Sequence, residues 1–314
     1  MRIVATADVP SVAREAFAPL GPIVVSLGDR EEIAGAEVLI VRGTRVDQEL
    51  LSRARRLRAI ARTGAGYDNL DVDAATRLGV PIVFAPGVGS QPVAEGAVTL
   101  MLAAAKRLRE LESVFHRASW TSRYEAPGLD IEGACLGIVG LGSIGRRVAR
   151  LGTGLGMRVI ACDPAAEAGA EAGVELVPLA ELVSRADVLT LHCALTPETR
   201  GLVDRELIEQ FKPGAIFVNV ARGEIVESED VLADALGSGR LGGVALDVFP
   251  HEPPEARHRL YRDARVICTP HSVGLTRRWN SEVFGSLARG VELVLKGELP
   301  ANLLNPESLA PTAR

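Results

Sequence analysis

Short apolar runs alternate along the whole chain with segments whose apolar residues recur every three or four positions. Runs rich in Val, Ile, Leu and Ala, bounded by Gly, Pro or Asp, read as buried strands, and the intervening segments read as helices. The first series of strand candidates is 2–7, 23–28, 38–42, 57–62 and 81–85, with helices such as 47–56 and 71–78 between them. A second series lies at 136–140, 158–163, 174–177, 187–192, 215–220, 243–248 and 265–269, with helices including 143–151, 198–211 and 228–236. Strands that are apolar on both faces and alternate with helices are the pattern of parallel sheets covered on either side. The expected fold is α/β, with two doubly wound parallel-sheet domains.

Two longer helical patterns break this rhythm. Residues 93–113 are rich in Ala, Leu and Met and then turn charged at Lys106, Arg107, Arg109, Glu110 and Glu112; residues 281–296 form the second. These helices are expected to be the chain's crossings between domains. One domain then comprises 1–95 and 285–314, and the other 96–284. A length of 314 residues agrees with two domains at roughly 150 residues each.

Composition narrows the function classes. With 47% hydrophobic residues the chain can fill two cores, which excludes intrinsic disorder. Lys and Arg number 35 against 40 Asp and Glu, a net charge of -5, so the overall footprint of a nucleic-acid binder is missing. Aromatic residues at 4% argue against base-stacking platforms. No apolar run approaches the roughly 18 residues of a membrane helix, and the N-terminus lacks the pattern of a signal peptide. Cys135, Cys162, Cys193 and Cys268 are scattered, without a CxxC pair or a histidine at metal-ligand spacing. Three of the four sit within strand-like runs and are expected to be buried reduced thiols; no structural metal and a cytoplasmic location are also expected.

Gly140-Leu141-Gly142-Ser143-Ile144-Gly145 follows one strand candidate and opens a helix. In that setting Gly140 permits the tight turn, Gly142 lets the backbone approach a pyrophosphate, and Gly145 lets the helix pack close to the sheet. The helix N-terminus offers free N–H groups and partial positive charge. Asp163 ends the next strand, 18 residues beyond Gly145, near the spacing at which a carboxylate meets the ribose hydroxyls of NAD. A carboxylate there would repel the extra phosphate of NADP. The ordinary alternative is an incidental glycine turn beside a solvated aspartate. Gly152, Gly154 and Gly156 follow a helix, have the wrong spacing, and are assigned no ligand; Gly156 is expected to cap that helix.

Ligands of open parallel sheets bind beyond the carboxyl ends of the strands. In the second series those ends carry Gly140, Asp163, His192, Arg222, Asp247 and His271. Arg222 offers a planar fork of donors suited to a carboxylate and its neighbouring carbonyl. His271 is placed to give or take a proton, and Glu252 to hydrogen-bond that imidazole and favour its charged form. His192 is read as a cofactor contact. Singly, Arg222 reads equally as surface charge, Glu252 as a loop carboxylate and His271 as a strand-end histidine.

Several segments in order carry a resemblance. They are Val41-Arg42-Gly43-Thr44, Arg62-Thr63-Gly64-Ala65-Gly66-Tyr67-Asp68-Asn69, the glycine loop, Leu195-Thr196-Pro197-Glu198-Thr199, Val218-Asn219-Val220-Ala221-Arg222-Gly223, Ala245-Leu246-Asp247-Val248-Phe249, Glu252-Pro253, Thr269-Pro270-His271 and Asn302-Leu303-Leu304-Asn305. Over essentially its whole length the chain resembles the D-isomer-specific 2-hydroxyacid dehydrogenase family, in its phosphoglycerate dehydrogenase-like branch. The resemblance implies a Rossmann NAD-binding domain, a flavodoxin-like substrate domain, and a homodimer with helix 93–113 at its interface. It implies that Arg222 binds substrate, that His271 is the acid/base and that Glu252 pairs with it. It further implies that backbone N–H groups of Ala65 and Gly66 hold the substrate carboxylate, with Arg42 near a substrate phosphate. Ser143, Ile144, Thr196, Val220, Ala221, Asp247 and Gly274 would join the NAD site.

The implied reaction is hydride transfer between NAD and C2 of a small D-2-hydroxy acid, either phosphoglycerate-like or of the hydroxypyruvate and glyoxylate kind. A non-catalytic, NAD-sensing corepressor-like protein and a phosphite dehydrogenase are the alternatives. No nucleic acid and no membrane are expected as partners. Arg277, Arg278 and Trp279 form an unusual run after His271, where Trp279 would shape a pocket or anchor the next helix. The short stretch after Asn305 leads to the expectation of no C-terminal regulatory domain.

Overall fold

In a computed structural model the chain forms two units, Met1–Gly89 with Leu275–Arg314, and Ser90–Gly274. The structure describes residues 1–117, 120–124, 127–167, 169 and 171–309; the end of the proposed 285–314 segment, residues 310–314, lies outside them. The units change over slightly earlier in the chain than the points 95 and 284 set out above.

The first unit opens with β1 (Ile3–Ala5), α1 (Ser11–Phe17), β2 (Ile23–Val25), α2 (Arg30–Ala34), β3 (Val38–Val41), α3 (Gln48–Arg53), β4 (Ala59–Arg62), α4 (Val72–Arg77) and β5 (Ile82–Val83). All strand pairs are parallel, in the order β2-β1-β3-β4-β5, which is the flavodoxin-type order. Every residue of β3 and β4 is buried, as covered parallel strands require. Asp29, Asp47 and Asp71 cap α2, α3 and α4 by accepting first-turn N–H bonds.

The second unit begins with α5 (Ser90–Ala105) and α6 (Leu108–His116). The single helix expected over 93–113 is therefore two. Arg107 breaks it by adopting left-handed backbone, φ 52°, while its guanidinium pairs with Glu110 one turn on. There follow β6 (Cys135–Val139), α7 (Ser143–Gly154), β7 (Arg158–Cys162), β8 (Val174–Leu176), α8 (Leu179–Arg185), β9 (Val188–Leu191), α9 (Arg205–Glu209), β10 (Ala215–Asn219), α10 (Glu229–Gly237), β11 (Leu241–Leu246), α11 (Arg259–Arg262) and β12 (Val266–Cys268). The strands are again all parallel, ordered β12-β11-β10-β9-β6-β7-β8. The expected helix 198–211 shrinks to α9, because Gly201 turns left-handed at φ 68° and Asp204 caps the helix only from Arg205 onward. Gly156 ends α7 with φ 78°, whereas Gly152 serves packing: a methyl there would lie 2.6 Å from Leu136.

The chain then returns to the first unit as α12 (Arg277–Leu295), capped by the Thr276 hydroxyl at Trp279 N. Val283, Phe284, Leu287, Val291 and Val294 lie on one face and are buried with Ile3, Phe17 and Ala61. Each such side chain contributes roughly 1.5–3 kcal/mol. Asn305 then closes the sheet edge, accepting from Ile82 N at 2.7 Å and donating to Val80 O at 3.0 Å.

Among the described residues no helix is long and apolar enough to cross a membrane. All four cysteines are free thiols; Cys135 is buried, Cys162 and Cys193 are half-buried and Cys268 is exposed, so the burial expected of three of them holds only in part.

Candidate active site

In the second sheet the chain builds β6, β7 and β8 in one direction and then returns to place β9 on the other side of β6. The carboxyl ends of β6 and β9 therefore flank the point where strand order reverses, the place where such sheets open a crevice for ligands. Gly140 leaves β6 with φ 94°, and a Cβ on it would lie 2.5 Å from Cys193 N and 2.7 Å from His192 C. Gly145 sits in α7, where a Cβ would fall 2.1 Å from Gly140 O. Around Gly142 nothing lies within 4 Å of a built Cβ. Two glycines are thus required by the fold, while the third faces open space at the start of α7.

The remaining cofactor candidates surround this loop. Ser143 and Ile144 form the first turn of α7, with the Ser143 hydroxyl 2.9 Å from that of Ser90. Arg147, absent from the sequence reading, donates to Ser143 O at 2.7 Å and brings a cation to the same turn. Asp163 follows β7, and its carboxylate accepts from Leu141 N at 2.7 Å and Ala165 N at 2.9 Å. That leaves it fixed beside the glycine loop. His192 follows β9, with Nε2 2.9 Å from the Thr190 hydroxyl and Nδ1 buried without a hydrogen-bond partner. Burial pushes its pKa down to about 3, so the ring is neutral at physiological pH. Thr196 lies in the following loop, its N–H donating to the Thr199 hydroxyl at 2.8 Å. Open space at Gly142, the free amides of α7 and the unpaired His192 nitrogen are features that a bound dinucleotide would use.

Beyond β10, β11 and β12 the candidate residues for proton transfer come together. Asn219, fully buried, accepts from Ala221 N at 3.0 Å and donates to Arg222 O at 2.8 Å. It fixes the turn of Val220, Ala221 and Arg222. Gly223 lets that turn touch the next loop, since a Cβ there would lie 1.9 Å from Phe249 C. The same loop brings Glu252 to His271, with carboxylate oxygens 2.8 and 3.0 Å from Nδ1. Burial pushes the Glu252 carboxyl up, but the bond and charge of His271, the Phe249 N–H and the Arg222 guanidinium outweigh it. The carboxyl is held below its ordinary range and stays ionised.

His271 itself adopts left-handed backbone, φ 51°, which is uncommon for a residue with a side chain. Asp247 holds that turn in place. It is 3% exposed, and one oxygen accepts from the Thr269 hydroxyl at 2.6 Å, Ser272 N at 2.7 Å and Val273 N at 3.2 Å. Burial raises its pKa in spite of these bonds. Gly274 is pressed against α5, where a Cβ would lie 2.7 Å from Val93 Cγ2.

The substrate candidates Arg42, Ala65 and Gly66 belong to the first unit, at the carboxyl ends of β3 and β4. The residue that links them is one the sequence reading passed over. Arg62 is 8% exposed; its Nε donates to Gly66 O and its Nη1 to Arg42 O, each at 2.6 Å. Neither Asn219 nor Arg62 has a signal in spacing; both are polar residues closing an apolar strand.

Residues 98–273 match the profile of the D-isomer specific 2-hydroxyacid dehydrogenase, NAD binding domain. The chain belongs to the D-isomer-specific 2-hydroxyacid dehydrogenase family. It is 41% identical over 279 residues to a D-3-phosphoglycerate dehydrogenase of Methanocaldococcus jannaschii, covering 88% of this chain and 53% of that protein. It is 37% identical over 271 residues to a glyoxylate reductase of Aeropyrum pernix, covering 84% of this chain and 81% of that protein. The chain spans about half the length of the phosphoglycerate dehydrogenases it matches. Among solved structures, D-lactate dehydrogenase from Aquifex aeolicus complexed with NAD and lactic acid aligns with a TM-score of 0.86 at 26% identity, over 97% of this chain and 99% of that one. Family membership and the two parallel-sheet domains thus agree with the reading of the sequence.

Proposed function

We propose that the protein is an NAD-dependent D-2-hydroxyacid dehydrogenase acting on a small 2-hydroxy or 2-oxo acid. The observation that carries this reading is the His271–Glu252 pair at 2.8 Å, next to the Arg222 turn at the carboxyl edge of the NAD-binding sheet. When bound, NAD(H) would supply or accept the hydride at C2 of the substrate. Arg222 holds the oxo acid with its guanidinium fork and polarises the carbonyl. Glu252 accepts from His271 Nδ1 and fixes the ring, which leaves Nε2 to exchange the proton at the reacting oxygen. In reduction protonated His271 gives that proton, and in oxidation the neutral ring takes it. The backbone N–H groups of Ala65 and Gly66 receive the substrate carboxylate, in a loop fixed by Arg62.

Gly140, Gly142, Ser143, Ile144, Gly145, Asp163, His192, Thr196, Val220, Ala221, Asp247 and Gly274 are the residues proposed to hold or shape the NAD site. The fixed Asp163 carboxylate favours NAD over NADP. The relatives named above are a phosphoglycerate dehydrogenase, a glyoxylate reductase and a D-lactate dehydrogenase, which favours an enzyme over the corepressor-like reading and a hydroxy or oxo acid over phosphite. Oxidation of NADH with hydroxypyruvate, glyoxylate or phosphohydroxypyruvate tests the proposal, and inactivity with every 2-oxo acid overturns it.

We assign the enzyme to the cytoplasm, in keeping with its four free thiols. We also assign it a homodimeric state. The supporting feature is a set of exposed apolar side chains on α6 and the turn after it, with Leu108 59%, Phe115 66% and Trp120 63% exposed. Light scattering that gives the mass of one chain at micromolar concentration would remove the dimer.

A further inference from the structure

Glu252 sits in the loop that leaves β11 at Asp247 and ends at α11. Within that loop the Phe249 N–H donates to Glu252 Oε1 at 3.3 Å. The bond is at the long end of effective distances, so a small movement of Phe249 decides whether it forms. Phe249 is buried, and Gly223 presses on it from one side, where a Cβ would meet its carbonyl carbon. Its ring meets that of Tyr261 edge-on, with centroids 5.6 Å apart and planes at 78°.

Tyr261 is itself held at both ends. Its hydroxyl donates to the Glu229 carboxylate in the first turn of α10, and its carbonyl accepts from Arg109 of α6 at 3.4 Å. Burial and the Glu229 charge push the phenol's pKa up, so it remains a donor. Two neighbours repeat the grip on α10. Arg259 donates to Asp230 at 2.8 Å and to Asp234 at 2.6 Å, and His258 Nε2 lies 3.3 Å from Asp230. The far end of the Glu252 loop is thus clamped to α10. In the chain α10 also follows the Arg222 turn, so one helix is tied to both halves of the site.

Resting on the function proposed above, we infer that Tyr261, anchored by Glu229, is a positioning residue for proton transfer. It holds Phe249 where the Phe249 N–H orients the Glu252 carboxylate toward His271. Oε1 of Glu252 meets both His271 Nδ1, at 3.0 Å, and that N–H. The amide is therefore an anchor that does not move with the imidazole the carboxylate must orient. Tyr261 differs from Arg259 and His258 in meeting Phe249 with its ring. Its removal lets Phe249 withdraw from Gly223, and the N–H bond to Glu252 lengthens past usefulness. A tyrosine that only filled space would lower stability; this one lowers turnover, and does so through Glu252.

The test is a double-mutant cycle in kcat for NADH-dependent reduction of the best 2-oxo acid by the full chain. Tyr261→Leu removes the ring and the hydroxyl, and should lower kcat about tenfold. Tyr261→Phe keeps the ring and loses the bond to Glu229, and should lower kcat about threefold. KM for the oxo acid and the NADH dissociation constant should stay within about twofold, because the Arg222 turn and the glycine loop keep their own bonds. In the Glu252→Gln background neither change should cost more than about 1.5-fold, since the group through which Tyr261 acts is already impaired. Tyr261→Phe decides the matter if Tyr261→Leu does not fold. An active wild type whose losses are equal in both backgrounds, or whose kcat survives both substitutions, overturns the inference alone. A wild type inactive on every 2-oxo acid overturns the proposed function, and the role of Tyr261 with it.

Discussion

Gly142→Ala adds one methyl group to the residue that precedes α7, where φ is -74° and ψ -159°. Any residue adopts that backbone, and nothing lies within 4 Å of the new carbon. Alanine caps a helix less well than glycine by about 0.5 kcal/mol. It also narrows the unfolded ensemble, which returns roughly 0.4–1 kcal/mol. The two effects nearly cancel, so the melting temperature should move by no more than about 2 °C. Binding should behave differently, because the open space is where a pyrophosphate would approach the backbone. A tenfold or greater rise in the NADH dissociation constant, about 1.4 kcal/mol or more, is expected. Gly145→Ala is the contrasting variant. Its methyl would lie 2.1 Å from Gly140 O, backbone against backbone, so the loop must open by about an ångström. Overpacking of this kind costs about 1–3 kcal/mol, against a gain in helix propensity of at most about 1 kcal/mol. The upper end applies, and the melting temperature should fall by about 4–8 °C. Thermal melts and NADH fluorescence titrations on both variants give the comparison. Gly142→Ala binding NADH like the wild type, or Gly145→Ala melting with it, refutes the division of roles.

Three further outcomes follow from the bonds described. The Glu252 carboxyl is held below its ordinary value, so its stabilisation is present above the ordinary carboxylate range and lost as pH falls through the lower folded value. Between about pH 5 and pH 3 the wild type should therefore lose more melting temperature than Glu252→Gln, modestly because the pair is partly exposed; parallel curves would contradict this. Arg62→Lys cannot bond Gly66 O and Arg42 O together, and should raise KM for the oxo acid by about tenfold with the NADH dissociation constant unchanged in titration. Asn305→Leu leaves Ile82 N–H and Val80 O buried without this partner, and should cost at least about 2 kcal/mol in urea unfolding; an unchanged midpoint would show the sheet edge is held otherwise.

The strands were readable because both sheets are parallel and covered on both faces, so runs such as Val38-Leu39-Ile40-Val41 are apolar throughout. The strand-end places of Gly140, Asp163, His192 and Asp247 were readable for a related reason: each is the first polar or turn residue after such a run, while Arg222 and His271 lie three residues past the ends of β10 and β12. Helix boundaries were less so. Nothing in Lys106-Arg107-Leu108 marks a break, because the left-handed turn is held by the Arg107–Glu110 pair rather than by glycine or proline. The residues that support the site were hidden for a different reason. Asn219 and Arg62 act through carbonyls and amides of neighbouring turns, partners that exist only once the strands are side by side. Trp279 stood out as unusual, but its place in the core with Ile3, Ile40 and Phe284 needed β1, β3 and α12 assembled.

His271 is the proposed proton-transferring group. Steady-state NADH oxidation with the best 2-oxo acid, measured for the wild type and for His271→Asn, tests this most directly. Asparagine tolerates the left-handed backbone at φ 51° but cannot serve as the acid. Turnover should fall by about a hundredfold to ten-thousandfold, with the NADH dissociation constant within about twofold of the wild type. A variant that turns over like the wild type would contradict the assignment.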